Sequence, residues 1–273
     1  MLDIAVVIPT HNRITFIERA IDSVLNQSIV VDEIIIIDDG SNDGTREIIK
    51  TKYPEIDYVY QSNKGISAAR NKAINKTNCN WISFLDSDDT WEPNKIEKQI
   101  EAINKNPDYL ICHTNETWYR NGKILNQKNK HKKFGGYIFT QCLPLCIISP
   151  SSVIIHKRLF NEIGLFDEKL PVCEDYDMWI RICHKYPVLF IEEALTNKHG
   201  GHNDQLSKKY WGIDRYRIIS LEKIIESGCL CSEQRKIAIN SLLEKINIFL
   251  KGCDKYGDNK YCERFKKIKF QYA

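Results

Sequence analysis

Apolar positions in the first hundred residues repeat with two alternating periods: short runs suited to a strand, and i, i+3, i+4 spacings suited to a helix. That alternation predicts an α/β fold, a mainly parallel sheet covered by helices. Residues 4–8 form the first run, after which Ile17, Ala20, Ile21, Val24 and Leu25 mark one apolar helix face. Residues 33–37 are continuously apolar after a leading acid, as expected of a strand buried on both faces, and the run stops at Asp38-Asp39-Gly40-Ser41. A third strand at 58–61 precedes a helix at 66–75, and a fourth strand at 81–85 ends in Asp86-Ser87-Asp88-Asp89. Both acidic turns follow strand carboxyl ends, where ligands bind in open parallel sheets, so the two are expected on one edge of the fold and close in space.

Over 114–140 the pattern turns irregular and basic, which predicts loops and hairpins, before a strand at 153–156 and a helix opening at Glu174. From Gln205 onward, charged segments bearing Ile and Leu predict two or three helices, with Ser232 as an N-cap and Gly252 as a stop. The expected organisation is a nucleotide-binding domain over 1–204 and a helical extension over 205–273.

Composition narrows the class. The chain has 273 residues, 42% hydrophobic and 27% charged, with no run near the ~18 apolar residues of a membrane span, so a soluble globular protein is expected. Its first residues carry an acid and no basic segment, which reads as a strand rather than a signal peptide and predicts a cytoplasmic location. A net charge of +3 is too balanced to imply nucleic acid, and the basic clusters at 128–133 and 266–269 read as solvated faces. The ten cysteines are scattered through apolar segments and read as reduced core thiols. The pairs Cys142/Cys146 and Cys229/Cys231 lack the matching second pair that a zinc site would need.

The turn Asp86-Ser87-Asp88-Asp89 carries the most chemistry, because three carboxylates within four residues repel one another unless a cation or donors neutralise them. Hard oxygen ligands suit Mn²⁺ or Mg²⁺, and an ion held by one or two carboxylates completes its shell with phosphates and water. Capping of the next helix, whose pattern begins near Pro93, would account for Asp88 or Asp89 alone but not for all three acids. In the second acidic turn Asp43 reads as a helix cap, while Asp38 and Asp39 are placed to accept a hydrogen bond from a base or ribose. No Gly-x-Gly-x-x-Gly and no Gly-Lys-Ser/Thr loop occurs, so phosphates must be held otherwise. Arg70 could reach them as a charged donor or could pair with an acid.

Taken in order, Val7-Ile8-Pro9-Thr10-His11-Asn12-Arg13, Ile37-Asp38-Asp39-Gly40-Ser41, Ala69-Arg70-Asn71, Asp86-Ser87-Asp88 and Glu174-Asp175 resemble family 2 glycosyltransferases of the GT-A fold, over about residues 3–203. The resemblance implies inverting transfer of a sugar from a nucleotide diphosphate, usually UDP, to an acceptor hydroxyl with a divalent metal. By the same resemblance Pro9, Thr10, Asn12, Arg13 and Asp39 line the base and ribose pocket, Arg70 meets the diphosphate, and Asp86, with Ser87 in the same turn, meets the ribose or sugar. Asp88 would hold the metal and Asp175 would act as general base, although acids in a helix's first turn also serve its dipole. The segment 198–207 resembles one that closes over the donor in some of these enzymes, where His202, chosen over His199, completes the metal shell. The Gln-x-x-Arg-Trp of processive relatives is absent near Trp179 and Arg181, so one sugar per encounter is expected.

Two other classes compete. A sugar-1-phosphate nucleotidyltransferase would carry a Gly-rich first loop where this chain has Pro9-Thr10-His11-Asn12-Arg13, and a silent carbohydrate- or partner-binding module would tolerate loss of Asp39, Asp86, Asp88 and Asp175, all of which are present. The expected setting is bacterial cell-surface glycan assembly with a glycan or lipid-linked acceptor. Lys266, Lys267 and Lys269 would then make a peripheral contact with the inner membrane face.

Overall fold

The computed structural model describes residues 2–202, 210, 212–256 and 259–273. Its elements run β1 (Ile4–Thr10), α1 (Ile17–Leu25), β2 (Glu33–Asp39), α2 (Thr45–Lys52), β3 (Asp57–Gln61), α3 (Ile66–Lys76), β4 (Trp81–Phe84), β5 (Thr90–Trp91), α4 (Lys95–Lys105), β6 (Ile111–Arg120) and β7 (Lys123–Ile124). The chain continues through α5 (Phe139–Cys142), β8 (Val153–His156), α6 (Arg158–Ile163), α7 (Glu174–Cys183) and β9 (Leu189–Gly200), and ends in α8 (Asp214–Glu226), α9 (Ser232–Tyr256) and α10 (Asn259–Tyr272).

The strands form one sheet in the order β3-β2-β1-β4-β8-β6-β9-β5, with β7 paired to β6. β1 to β4 are mutually parallel, as expected, whereas β8 runs antiparallel to both β4 and β6, so the second half is mixed. Alternation along the central strands explains their continuous apolar runs. Ile4, Val6 and Ile8 join a core with Ile17, Ala20 and Ile21 of α1, while Val7 faces a second core with Ala69, Ala73 and Ile74 of α3. Ile36 and its neighbours Ile35 and Ile37 divide the same way in β2. β1 lies between β2 and β4, with Thr10 in register with Asp38, so the two acidic turns emerge side by side on one sheet edge.

The stretch expected to be loops from 114 onward is strand as far as Arg120, with an irregularity around Asn115 where β6 pairs β9. Its strand character escapes a hydrophobic pattern because the inward residue is the acid Glu116. That buried carboxylate is met by Lys133 at 3.0 Å, by the Trp118 indole N–H at 2.8 Å and by the Ser149 hydroxyl. Burial alone would raise its pKa, but Lys133 and Lys198 outweigh it and hold Glu116 at about 2. Lys133 is therefore buried in an ion pair, and the expectation of a wholly solvated basic cluster at 128–133 is corrected there.

Among the described residues three helices follow, within the expected two or three, but Gly252 does not stop one: it lies inside α9. A helical glycine costs only ~1 kcal/mol, and contacts on either side outweigh that, since Phe249 packs edge-on against Phe265 of α10 and Cys253 is disulfide-bonded to Cys262. Cys79, Cys112, Cys142, Cys173 and Cys183 are buried thiols as expected, whereas Cys229 and Cys231 are exposed and Cys253 and Cys262 are oxidised, which corrects the uniform core-thiol reading. The helical tail is not set apart from the sheet. Leu221 of α8, Leu242 of α9 and Phe265 of α10 belong to the same core cluster as Val7 and Trp179, and Lys223 ties α8 to α7 through Asp177 at 2.9 Å. The expected boundary at 204/205 lies outside the described residues. No described helix is long and apolar enough to cross a membrane.

Candidate active site

A cleft of about 1050 Å³ opens where β1, β2 and β4 end. Pro9, Thr10, Asn12, Arg13, Asp39, Asp86, Ser87 and Asp88 all line it, so eight of the expected donor and metal residues share one cavity.

The β1 end is held by short polar links to the next loop. Asn12 sits at φ 52°, a left-handed conformation that Asn tolerates. Its N–H donates to Ser41 Oγ at 2.8 Å and its Oδ1 accepts the Asn42 N–H at 2.9 Å. Asp39 accepts the N–H groups of Lys64 and Gly65, each at 2.8 Å, and the Gln61 amide at 2.7 Å, which fixes the loop into α3. Gly40 is required beside it: φ is 84°, and a Cβ would meet the Asn63 nitrogen at 2.9 Å. Asp38 departs from expectation. It is fully buried, spends its oxygens on Tyr58 Oη at 2.5 Å and the Ser41 N–H at 2.8 Å, and does not line the cleft. Asp43 does bind the first amide of α2, at 3.1 Å from the Thr45 nitrogen.

In the other acidic turn helix capping plays no part, since β5 intervenes before α4 begins at Lys95. Each acid has its own partners. Asp89, 2% exposed, accepts the Ser151 hydroxyl at 2.6 Å and the His199 N–H at 3.0 Å, and burial pushes its carboxyl up to about 7 against the pull of Lys198. Asp88 places Oδ2 at 2.8 Å from His202 Nε2, and the His202 ring rests 5.1 Å from Phe16. His199 lines the cleft but has its own partners, stacking on Tyr119 with Nε2 3.2 Å from Thr90 Oγ1; His202 is not on the wall as bounded by the described residues, yet it is the imidazole against Asp88. Asn203 to Ser207 of the expected closing segment lie outside the described residues. Among the described residues no group of three or more His, Cys, Asp or Glu converges on one point, but the Asp88 oxygen and His202 nitrogen are a donor pair that fits Mn²⁺ or Mg²⁺ completed by phosphate oxygens and water.

Of the two courses open to it, a diphosphate contact or an acid partner, Arg70 takes the acid partner in the described geometry. It is 1% exposed, absent from the cleft wall, and clamped between Asp86 at 2.8 Å and Glu174 at 2.6 Å, with Phe166 stacked at 5.3 Å. The two carboxylates overcome burial and raise the arginine's pKa. Arg70 thus joins the acidic turn to the first turn of α7. Replacing it with Met leaves two carboxylates around an apolar group, and a loss of about 3–5 kcal/mol in unfolding free energy is expected. Urea denaturation checks this; a loss under 1 kcal/mol would mean that the clamp is not structural.

Asp175 follows Glu174 in that turn. It is half-buried, with Oδ1 at 2.7 Å from the Tyr176 N–H, and it does not line the cleft as bounded by the described residues. The sequence reading missed Lys64, Glu168 to Pro171 and Tyr210, and it gave Lys198 no role of its own within the 198–207 segment; all are on the wall. One signal for the 168–171 loop was present. Asn71 of the Ala-Arg-Asn motif holds it, donating to Phe166 O and to Glu168 Oε1, each at 2.9 Å, and accepting the Phe166 N–H at 3.0 Å.

Residues 5–164 match the model of the family described as "Glycosyl transferase family 2". A Rickettsia felis protein described as an uncharacterized glycosyltransferase is 33% identical over 76% of this chain and 35% of its own length. Chondroitin synthase of Escherichia coli is 29% identical over 72% of this chain and 29% of its length. The chain therefore spans about a third of these relatives. Among solved structures, S. aureus TarS residues 1–349 in complex with UDP-GlcNAc superposes with a TM-score of 0.70 at 18% identity, covering 97% of this chain and 78% of that one. A mannosyltransferase from Pyrobaculum calidifontis in complex with GDP-Man and Mn²⁺ gives 0.63 at 12% identity, covering 98% and 83%. With its fold matched to these enzymes and its sequence to the family model, the chain belongs to glycosyl transferase family 2 and has the GT-A fold.

Proposed function

We propose that this chain is an inverting glycosyltransferase that moves one sugar from a UDP-linked donor to an acceptor hydroxyl in bacterial cell-surface glycan assembly. The carrying observation is the convergence of Asp39, Asp86 and Asp88 on one cleft at the strand ends, with His202 against Asp88. TarS bound to UDP-GlcNAc and the chondroitin synthase relative support a UDP donor and a polysaccharide setting.

On this reading Pro9, Thr10, Asn12, Arg13 and Asp39 hold the base and ribose, and Asp86 and Ser87 meet the ribose or sugar. Asp88 and His202 would hold Mn²⁺ or Mg²⁺, which when bound neutralises charge on the departing diphosphate. Arg70 is a positioning residue that fixes Asp86. Asp175 takes the acceptor's proton as its oxygen attacks the anomeric carbon from the face opposite the leaving group, which inverts that centre. Residues 1–204 would carry the donor site and 205–273 would face the acceptor.

Calorimetric titration of UDP, GDP and CDP with and without Mn²⁺ tests the reading: UDP is expected to bind best, and more tightly with the metal. No binding of any nucleotide would favour a silent binding module. The reading includes a contact with the inner membrane face through α10, supported by Lys266, Lys267, Lys269 and the 90% exposed Phe270 at its surface. Sedimentation with anionic vesicles at low salt should carry the protein down, and protein remaining in the supernatant would refute that contact.

A further inference from the structure

Lys198 lines the cleft with Asp86, Asp88 and Asp89 but has no part in the site so far. β9 places it in register with Trp118 of β6, and the next residue anchors the strand through the His199 N–H on Asp89. Its Nζ is 3.6 Å from Asp89 Oδ2, beyond hydrogen-bond length, and its side chain is 30% exposed. Four carboxylates act on it, Asp89, Glu116, Asp86 and Asp88, and the two deepest already have partners on both oxygens. Both Asp89 oxygens are taken by Ser151 and His199, and Glu116 accepts from Lys133, Trp118 and Ser149. Among the described residues the Lys198 ammonium makes no hydrogen bond, although it carries three donors and borders a cavity. An ammonium so placed has two roles open to it: balancing the charge of the buried acids, and donating to an anionic oxygen that enters the cleft.

We infer that Lys198 is a further donor-binding residue whose ammonium takes the phosphate oxygens of the nucleotide diphosphate, so that the chain itself meets part of the charge that a divalent cation would otherwise meet alone. The inference rests on the cleft being a nucleotide-diphosphate site. In the transfer step the bond from the anomeric carbon to the terminal phosphate oxygen breaks as the bond from the acceptor oxygen forms. The acceptor proton goes to Asp175, and the electron pair of the broken bond stays on the diphosphate, where Lys198 offsets it. A fixed ammonium beside the acidic turn also keeps the empty site from being a bare cluster of like charges.

The test is UDP titration into wild type, Lys198→Gln and Lys198→Arg, in EDTA and in Mn²⁺, with uridine as a ligand that lacks phosphates. Wild type is expected to bind UDP in EDTA. The Gln variant should lose about tenfold or more there, the scale of one charge-assisted contact, and less in Mn²⁺, with uridine unchanged and the Arg variant within about threefold of wild type. Equal UDP affinity of wild type and Gln variant in EDTA overturns the inference alone, as does wild-type binding that needs Mn²⁺ altogether. Wild type that binds no nucleotide in either buffer overturns the donor-site reading with it. Because Lys198 also neighbours buried acids, a measurement on the native chain accompanies the variants. UDP in EDTA, but not uridine, should protect Lys198 from an amine-acylating reagent, read by peptide mass spectrometry. Equal labelling with and without UDP overturns the inference.

Discussion

Asp88→Asn is expected to lower sugar transfer by about a thousandfold, the scale on which charge stabilisation of a leaving group acts. Asp88 is 21% exposed; among the described residues its side chain meets His202 Nε2 through Oδ2 at 2.8 Å, and its backbone carbonyl accepts from the Arg19 guanidinium, a contact that asparagine keeps. Asparagine keeps the shape and can still hydrogen-bond the imidazole, so the fold should stand, with an unfolding free energy within about 1 kcal/mol of wild type. What it loses is the negative oxygen that, with His202, would hold a divalent cation. Release of UDP from a UDP-sugar should therefore fall, and the Mn²⁺ dependence of UDP binding should flatten. Activity within tenfold of wild type would move the metal function off Asp88. The buried neighbour Asp89 does not offer the same test, because its oxygens brace Ser151 and the β9 backbone.

Asp175→Asn should reduce transfer by about 10²–10⁴-fold while leaving UDP affinity nearly unchanged, since a general base acts on the acceptor and not on the donor. The geometry makes the substitution mild. Its carboxylate accepts the Tyr176 N–H and meets the Cys146 thiol, contacts that an asparagine oxygen can also accept. Glu174, the next acid back, behaves differently because it is buried against Arg70, so its loss would disturb Asp86 and the donor site. The two substitutions therefore separate a base from a brace. Loss of UDP binding in Asp175→Asn would reassign Asp175 to the donor side.

Much of this site could be read from the chain because its parts sit at strand ends, where an apolar run stops in acids. The run 33–37 and its acids and the run 81–85 and its acids place two turns on one edge from the pattern alone. What escaped was decided by partners distant in sequence. Asp38 and Asp39 are indistinguishable as letters, yet Tyr58 takes one and the Lys64 and Gly65 amides take the other. Arg70 is separated by 104 residues from Glu174, the partner that removes it from the cleft wall. Lys198 stands in the segment 198–207 that resembles a donor-closing one, but nothing in the letters sets it apart from other lysines, because its place is fixed by acids distant in sequence. β6 was misread for the same reason: its buried Glu116 is polar, and its compensation by Lys133 and Ser149 comes from other segments. Gly252 and the cysteine pair in α9 and α10 show tertiary contacts overriding local propensity.

Whether the cleft holds a nucleotide diphosphate with a divalent cation at Asp88 and His202 is decided by a crystal structure with UDP and Mn²⁺. An anomalous peak is expected within about 2.1 Å of both Asp88 Oδ2 and His202 Nε2, the distance of a small divalent ion from its ligands, with the uracil against Asp39. UDP bound outside the cleft, or Mn²⁺ held by residues other than these two, would contradict that arrangement.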